Sequence, residues 1–350
     1  MKRTRLFSEL LCLLLCIAIA LSLSACGEGR MVQKQISAMD TVMTLTSYGK
    51  NAEAGVEAAA STIKAMASML DPELPTSTTY AINHSNGSNV VVSAQVAKML
   101  STAKTVYDHG EGALDLSLYP AIKLWGFVNE RYYVPTYEEL SAVLKRKAFD
   151  QMILTSYPAT GSYSVSFPAG TEISFASVGK GCAAENAVSA MRQAGVESGI
   201  VSLGGNVQTL GLKPDGSNWT VAIQDPNRTD SWVGTVSVGE TAVVTSGSYQ
   251  RWFISDTNTY HHILNPLTAS PVSNGLLSVT IICEDGTMAD ALSTAMFVLG
   301  ESRALNYWRA YGGFEMIMIN KSNQIICTKG LIDTFSRSDR SEEYTLKFSE

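Results

Sequence analysis

Apolar and polar positions along this 350-residue chain recur with two periods, and the periods predict its elements. Residues 50–70 and 93–107 carry Ala, Val, Ile, Leu and Met at spacings of three and four, the stripe of an amphipathic helix. Thr136 with Glu139 three residues on has the form of a capping box and predicts a helix from there to about Lys147. Short runs rich in Val, Ile, Thr and Ser predict strands at 41–48, 151–155, 162–167, 199–203, 207–212, 219–224, 233–238, 277–283 and 315–319. Several of these are separated by only a few turn residues, as in VSLGGNVQTLG at 201–211, and such short links make hairpins, whereas parallel strands need crossovers. The expected fold class is α+β, with mixed, largely antiparallel sheets and helices packed on them. The stretch 73–90, ELPTSTTYAINHSNGSNV, reads as a surface loop. No repeat, low-complexity linker or long charge run divides the chain, which points to one large unit over residues 26–340.

TMADALSTAMFVLG, residues 287–300, predicts a different kind of helix, apolar nearly all round except at Asp290, Ser293 and Thr294. Those three share a stripe at i, i+3 and i+4, so a buried helix presents one polar window. A purely structural account is available, since Asp complements a helix N-terminus and Ser or Thr bonds back to a preceding carbonyl. The alternative is a metal or phosphate site, because buried acids are rare unless paired or metal-bound.

The N-terminus bears on location. MKRTR is a basic n-region, LLCLLLCIAIALSL at 10–23 is an apolar stretch short for a membrane span, and LSAC ends at Cys26 with small residues before a cysteine. Residues 1–25 are expected to be a lipoprotein signal peptide, with Cys26 lipidated and the rest exported and anchored, without spanning, to the outer face of the cytoplasmic membrane or within the periplasm. Removing Lys2, Arg3, Arg5 and Glu9 with that segment leaves 23 basic and 31 acidic residues, net −8, which disfavours a nucleic-acid partner. Of six cysteines, Cys182, Cys283 and Cys327 then remain, too few and too scattered for a disulfide framework or a zinc site. Cys283 and Cys327 lie in strand-like runs and read as buried small hydrophobes, with a single disulfide left open in an exported protein.

Three further stretches carry candidate chemistry. VGKGCAAENAVSAMRQAGV at 178–196 runs a Gly-Lys-Gly turn into a helix, which aims backbone N–H groups and Lys180 at an anion. It is not a P-loop, since the glycine spacing is wrong and Cys182 stands where the hydroxyl belongs. The paired glycines of SLGGNVQTLG suit a hairpin turn or close approach of a ligand to backbone. His261 and His262 are strand neighbours pointing to opposite faces, so at most one faces a site; His84 and His109 read as surface residues.

The order of these pieces resembles the ApbE family of FAD:protein FMN transferases, from about Val32 to Thr328. The matching stretches are MDTVMTL near the start, GALDLSLYPAIKLWGF at 112–127, SVGKGCAAENAV at 177–188, VSLGGNVQTLG, TSGSYQRWF at 245–253, YHHILNPLTASPV at 260–272 and SVTIICEDGTMADALSTAMFVLG at 278–300. The resemblance implies an enzyme that uses Mg²⁺, binds FAD as substrate, breaks its pyrophosphate and moves the FMN half onto a Ser or Thr hydroxyl of a target flavoprotein, releasing AMP. Its partners would be flavin-accepting subunits of membrane redox complexes or exported flavoproteins. By the same resemblance Asp290 and Thr294, with Ser293 adjacent, bind the metal together with the carbonyl of Ser177. Met39, Ala113, Leu114, Asp115, Lys180 and Ile263 contact FAD, and Ser174 stands where the family has an aspartate in that shell. His262, with an ordinary pKa near 6.5, is the first candidate for the base that takes the acceptor's proton, and Asp290 the second.

The chain departs from the family at four places: Ser174 for Asp, Asp40 for Gly, Ala269 for Gly, and Leu70 for an aromatic residue. Two other activities fit the same residues. One is a Mg²⁺-dependent FAD pyrophosphatase yielding FMN and AMP with water as acceptor, and the other is a lipoprotein that binds FAD without turnover.

Overall fold

The computed structural model describes residues 29–349, so the signal segment and Cys26 lie outside the described residues. Its centre is a nine-stranded sheet whose spatial order is Met31–Ala38, Thr41–Tyr48, Ser198–Leu203, Asn206–Leu210, Ala242–Gly247, Leu276–Cys283, Glu315–Asn320, Gln324–Thr328 and Thr345–Ser349. Every adjacent pair is antiparallel except the last, which is parallel. The expected α+β class with largely antiparallel sheets is what the chain adopts.

Eight α-helices are described: α1 (Ala52–Leu70), α2 (Thr78–Asn83), α3 (Ala94–His109), α4 (Tyr119–Leu124), α5 (Tyr137–Leu144), α6 (Gly179–Gln193), α7 (Gly286–Leu299) and α8 (Glu301–Tyr311). Helices α1, α6 and α7 cover one face of the large sheet, with α6 packed between the other two. The opposite face is covered by a three-stranded sheet of Trp219–Gln224, Trp232–Val238 and Phe335–Arg337. The central strands are therefore buried on both sides and read as continuous apolar runs. In Glu315–Asn320, Met316 and Met318 join the helical core while Ile317 and Ile319 join the core under the small sheet, the two-residue period of a strand.

Thr136 and Glu139 form the capping box, and α5 ends at Leu144, short of Lys147. The 73–90 stretch is not all loop: Ser77 caps α2 by accepting from the Tyr80 N–H, and Thr79 and Ile82 are buried. Polar composition hid a short helix whose inward face is only two residues wide. All three described cysteines are free, which closes the disulfide left open above; Cys182 and Cys327 are buried and Cys283 is half-buried.

Two tight turns shape one end of the sheet. Met39 and Asp40 join the first two strands with φ of 49° and 57°, and Gly204 and Gly205 join Leu203 to Asn206 with φ of 57° and 97°. Two consecutive residues at positive φ are the hairpin geometry that matches strand twist. A third core layer of Trp125, Phe127, Phe253, Leu264 and Ala269 closes this end of the molecule, backed by the hairpin Trp252–Ser255 with Asn258–His261.

Candidate active site

Helix α6 begins without a side-chain cap of its own, since Val178 occupies the N-cap position. The cap comes from another helix. Asp290 of α7 is 3% exposed, and its Oδ2 accepts the Gly181 N–H at 2.8 Å, placing a carboxylate on the positive end of α6. This contact requires the helices to touch. A Cβ on Gly181 would collide with the Gly286 carbonyl oxygen and stand 2.7 Å from Asp290 Cβ, so glycine is what lets α6 approach α7. Among the described residues no hydrogen bond or ion pair reaches the other carboxylate oxygen, Oδ1.

The next turn of α7 adds hydroxyls. Ser293 Oγ donates to the Asp290 carbonyl at 2.9 Å, so part of the structural account of this residue holds. Ser246, from strand Ala242–Gly247, bonds Ser293 at 2.8 Å and Thr294 at 3.2 Å. One carboxylate and three hydroxyls thus gather on this side of α7, and Ser246 is a member to which the TSGSYQRWF stretch alone assigned no role. Lys180, half-buried beside Gly181, makes no hydrogen bond or ion pair among the described residues. The other acids at this helix crossing are already matched: Lys98 bridges Glu185 at 2.6 Å and Asp285 at 3.0 Å, and Thr287 donates to Glu185.

No group of three or more His, Cys, Asp or Glu is placed to hold a metal among the described residues. The set at Asp290 is of another kind: one uncommitted carboxylate oxygen, hydroxyls of Ser293, Thr294 and Ser246, and the nearby main chain of the turn at Ser177, which lies just ahead of α6. Hard oxygen donors with a single charge suit Mg²⁺, which takes few protein ligands and fills its shell with water and phosphate. The residues present fit such an ion.

His261 is the last residue of the strand Asn258–His261 and His262 lies just past its end, so they are not neighbours on a strand, yet their side chains part. His261 is buried against Phe297, with Nε2 2.9 Å from the Val272 carbonyl and Nδ1 accepting the Ile263 N–H, and it is structural. His262 is half-buried and packs edge-on against Phe127. Its Nδ1 lies 3.2 Å from the Arg251 carbonyl, which accepts only if Nδ1 carries the proton, so Nε2 is left as an unprotonated acceptor. Burial first, then the charges of Arg251 and Lys180, push its pKa down to about 3. The ordinary value near 6.5 therefore does not apply, and the imidazole is neutral throughout the physiological range.

Arg251 is a second residue the sequence reading missed. Its carbonyl orients His262, and its guanidinium lies 3.3 Å from both Asp40 Oδ2 and the Phe127 carbonyl. The substitution of Asp40 for glycine thus sits at a left-handed position but gains an ion pair. Ala269 is likewise left-handed, φ 54°, and its carbonyl accepts the Trp125 indole N–H at 2.8 Å. Both family glycines fall where the backbone favours glycine.

Met39 occupies the turn next to Asp40. Ile263 is buried directly after His262. Ala113 and Leu114 are buried in the main core, and the Asp115 side chain is committed, accepting from Ser117 N–H and Oγ and pairing with Lys147 at 3.0 Å, which leaves this stretch its backbone to offer a ligand. Ser174 is half-buried and accepts the Ala176 N–H, and Leu70 packs in the core against Gly179.

Comparison with known proteins places this architecture among flavin transferases. The FAD:protein FMN transferase of Treponema pallidum is 30% identical over 336 residues, covering 91% of this chain and 93% of its own length. That of Klebsiella pneumoniae is 32% identical over 247 residues, 70% of this chain and 75% of its own. The crystal structure of the ApbE protein of Thermotoga maritima superposes with a TM-score of 0.76 at 26% identity, covering 89% of this chain and 98% of that one. The Vibrio cholerae flavin transferase ApbE, at 23% identity, shares the fold with a TM-score of 0.74 over 90% of this chain and 99% of its own. The ApbE family model matches residues 39–318, and the chain belongs to that family. It is an enzyme of the transferase class that acts in flavin transfer.

Proposed function

We propose that this chain is a Mg²⁺-dependent FAD:protein FMN transferase that attaches FMN through its phosphate to a Ser or Thr hydroxyl of an acceptor protein and releases AMP. The observation that carries the reading is the buried Asp290, with one oxygen fixed by Gly181 and the other uncommitted among the described residues, one helical turn before the Ser293 and Thr294 hydroxyls that Ser246 joins, and with Lys180, which makes no hydrogen bond or ion pair among the described residues, next to Gly181. Asp290, Ser293, Thr294 and the Ser177 carbonyl would hold the ion, which when bound neutralises the charge on the pyrophosphate and on the departing AMP. Lys180 and the N-terminus of α6 draw the nucleotide's phosphates to the same point. His262 Nε2 accepts the proton of the acceptor hydroxyl as its oxygen bonds to the FMN phosphorus and the bond from that phosphorus to the bridging oxygen breaks, the electron pair leaving with AMP. Loose phosphoryl transition states need positioning more than a strong base, so a weakly basic imidazole suffices.

The n-region, apolar stretch and small residues before Cys26 support export as a lipoprotein, with flavin-accepting subunits of redox complexes or exported flavoproteins as targets. The test is to incubate the purified chain with FAD, Mg²⁺ and a peptide bearing Ser-Gly-Ala-Thr, following AMP and the peptide mass. A mass gain equal to FMN, lost without Mg²⁺, is expected. AMP without labelling would mean hydrolysis, and intact FAD would mean a carrier; either replaces this reading.

A further inference from the structure

Asn206 begins its strand directly after the Gly204–Gly205 turn. Asn206 is 2% exposed, and its Nδ2 has no hydrogen-bond partner; it is the one nitrogen among the five buried side-chain atoms in that condition within the described residues. A buried amide donor with no acceptor destabilises the fold, so its presence asks for an acceptor from outside the chain.

Its position says which. Asn206 and Gln208 point to the same side of their strand, and Gln208 Oε1 lies 2.7 Å from where a Cβ of Gly286 would be, at the first residue of α7. Two strand residues advance about 6.7 Å, and the helical turn from Gly286 to Asp290 advances about 6 Å. Asn206 therefore stands level with Asp290. The neighbouring strand agrees: Val244 pairs with Asn206, and Ser246, two residues further, bonds Ser293 and Thr294 on the following part of α7. Of the other orphaned atoms, Gln208 Oε1 is a turn lower and Ser47 Oγ lies against Gly55 of α1.

We infer that Asn206 is a substrate-binding residue whose carboxamide N–H donates to a pyrophosphate oxygen of the flavin nucleotide lying between Asp290 and Lys180, an assignment that rests on the function proposed above. The full chain and its Asn206→Leu, Asn206→Ala and Asn206→Asp variants are compared by titration calorimetry with FAD and with ADP, both with Mg²⁺, and by the thermal midpoint of the nucleotide-free protein. Affinity for both nucleotides falls about tenfold or more in the Leu and Ala variants, the loss expected for a hydrogen bond to a charged oxygen. The Leu variant keeps or raises the midpoint, because an unpartnered donor has been removed, and the Asp variant binds weakest through charge repulsion. Unchanged affinity in a folded variant overturns the inference. So does a loss confined to FAD, or a lowered midpoint in both Leu and Asp variants, which marks a structural role. If the unsubstituted chain binds neither nucleotide, the flavin-nucleotide reading itself fails first.

Discussion

Two aspartates are buried on opposite faces of the large sheet, and their surroundings differ in kind. Asp225, 0% exposed beneath the small sheet, has every oxygen occupied: Tyr344 OH and the Asn227 N–H donate to Oδ1 at 2.6 and 2.9 Å, and Arg228 pairs with Oδ2 at 3.0 Å. Burial works against its charge, but the hydrogen bonds from Tyr344 and Asn227 and the Arg228 guanidinium outweigh it and hold the carboxyl below its usual range. Asp290, 3% exposed on the helical face, has one oxygen on a backbone N–H and the other without a partner among the described residues. Burial alone does not distinguish a functional acid from a structural one. Unmet bonding capacity does.

The largest effect separates the two directly. Asp290→Ala is expected to lower flavin transfer by roughly 10³-fold or more, whereas Asp225→Ala leaves turnover near normal and lowers stability by about 2–4 kcal/mol. Parallel turnover assays and denaturant melts of the two variants read this out. Gly181→Ala comes next, because its methyl must push α6 from α7 and carry Asp290 off its N–H; overpacking of about 1–3 kcal/mol and a rate loss of about 10²-fold should appear together. If the rate falls while stability does not, the helix contact is not what positions the acid.

Lys180, Asp290 and Thr294 were legible because helix period and a Gly-Lys-Gly helix start are local signals. Arg251, Ser246 and Asn206 were not, since each acts through a neighbour distant in sequence: Arg251 through its carbonyl on His262, Ser246 across to α7, Asn206 by its level on a strand. The same reason hid the depressed basicity of His262, which depends on burial and on two cations from other segments. Strand Met31–Ala38 was missed because an edge strand needs only one weakly apolar face, with Ile36 its one buried residue. The double-sided burial of the sheet was invisible until the small sheet was placed.

A smaller effect is on acid stability. The folded imidazole of His262 titrates at about 3, far below its ordinary value near 6.5, so the unfolded chain takes up the proton first. Its contribution is complete above pH about 6.5 and is lost as pH falls toward the folded value. The thermal midpoint of His262→Gln should therefore fall less steeply between pH 6.5 and 4 than that of the unsubstituted chain; equal slopes would contradict a neutral imidazole of depressed basicity. Smallest of all is Asp40→Gly, where relief of a left-handed residue, about 1 kcal/mol, is offset by loss of an exposed ion pair to Arg251 worth about 0–1 kcal/mol. Denaturant midpoints should differ little, and transfer rates by less than about threefold.

The measurement closest to the central claim is calorimetric titration of FAD into the full chain, Asp290→Asn and Asp225→Asn, each with and without Mg²⁺. The account predicts that Mg²⁺ strengthens FAD binding to the unsubstituted chain and to Asp225→Asn, and that this gain disappears in Asp290→Asn while its fold is retained. A Mg²⁺ gain that survives in Asp290→Asn would place the ion elsewhere and contradict the role assigned to the free oxygen of Asp290.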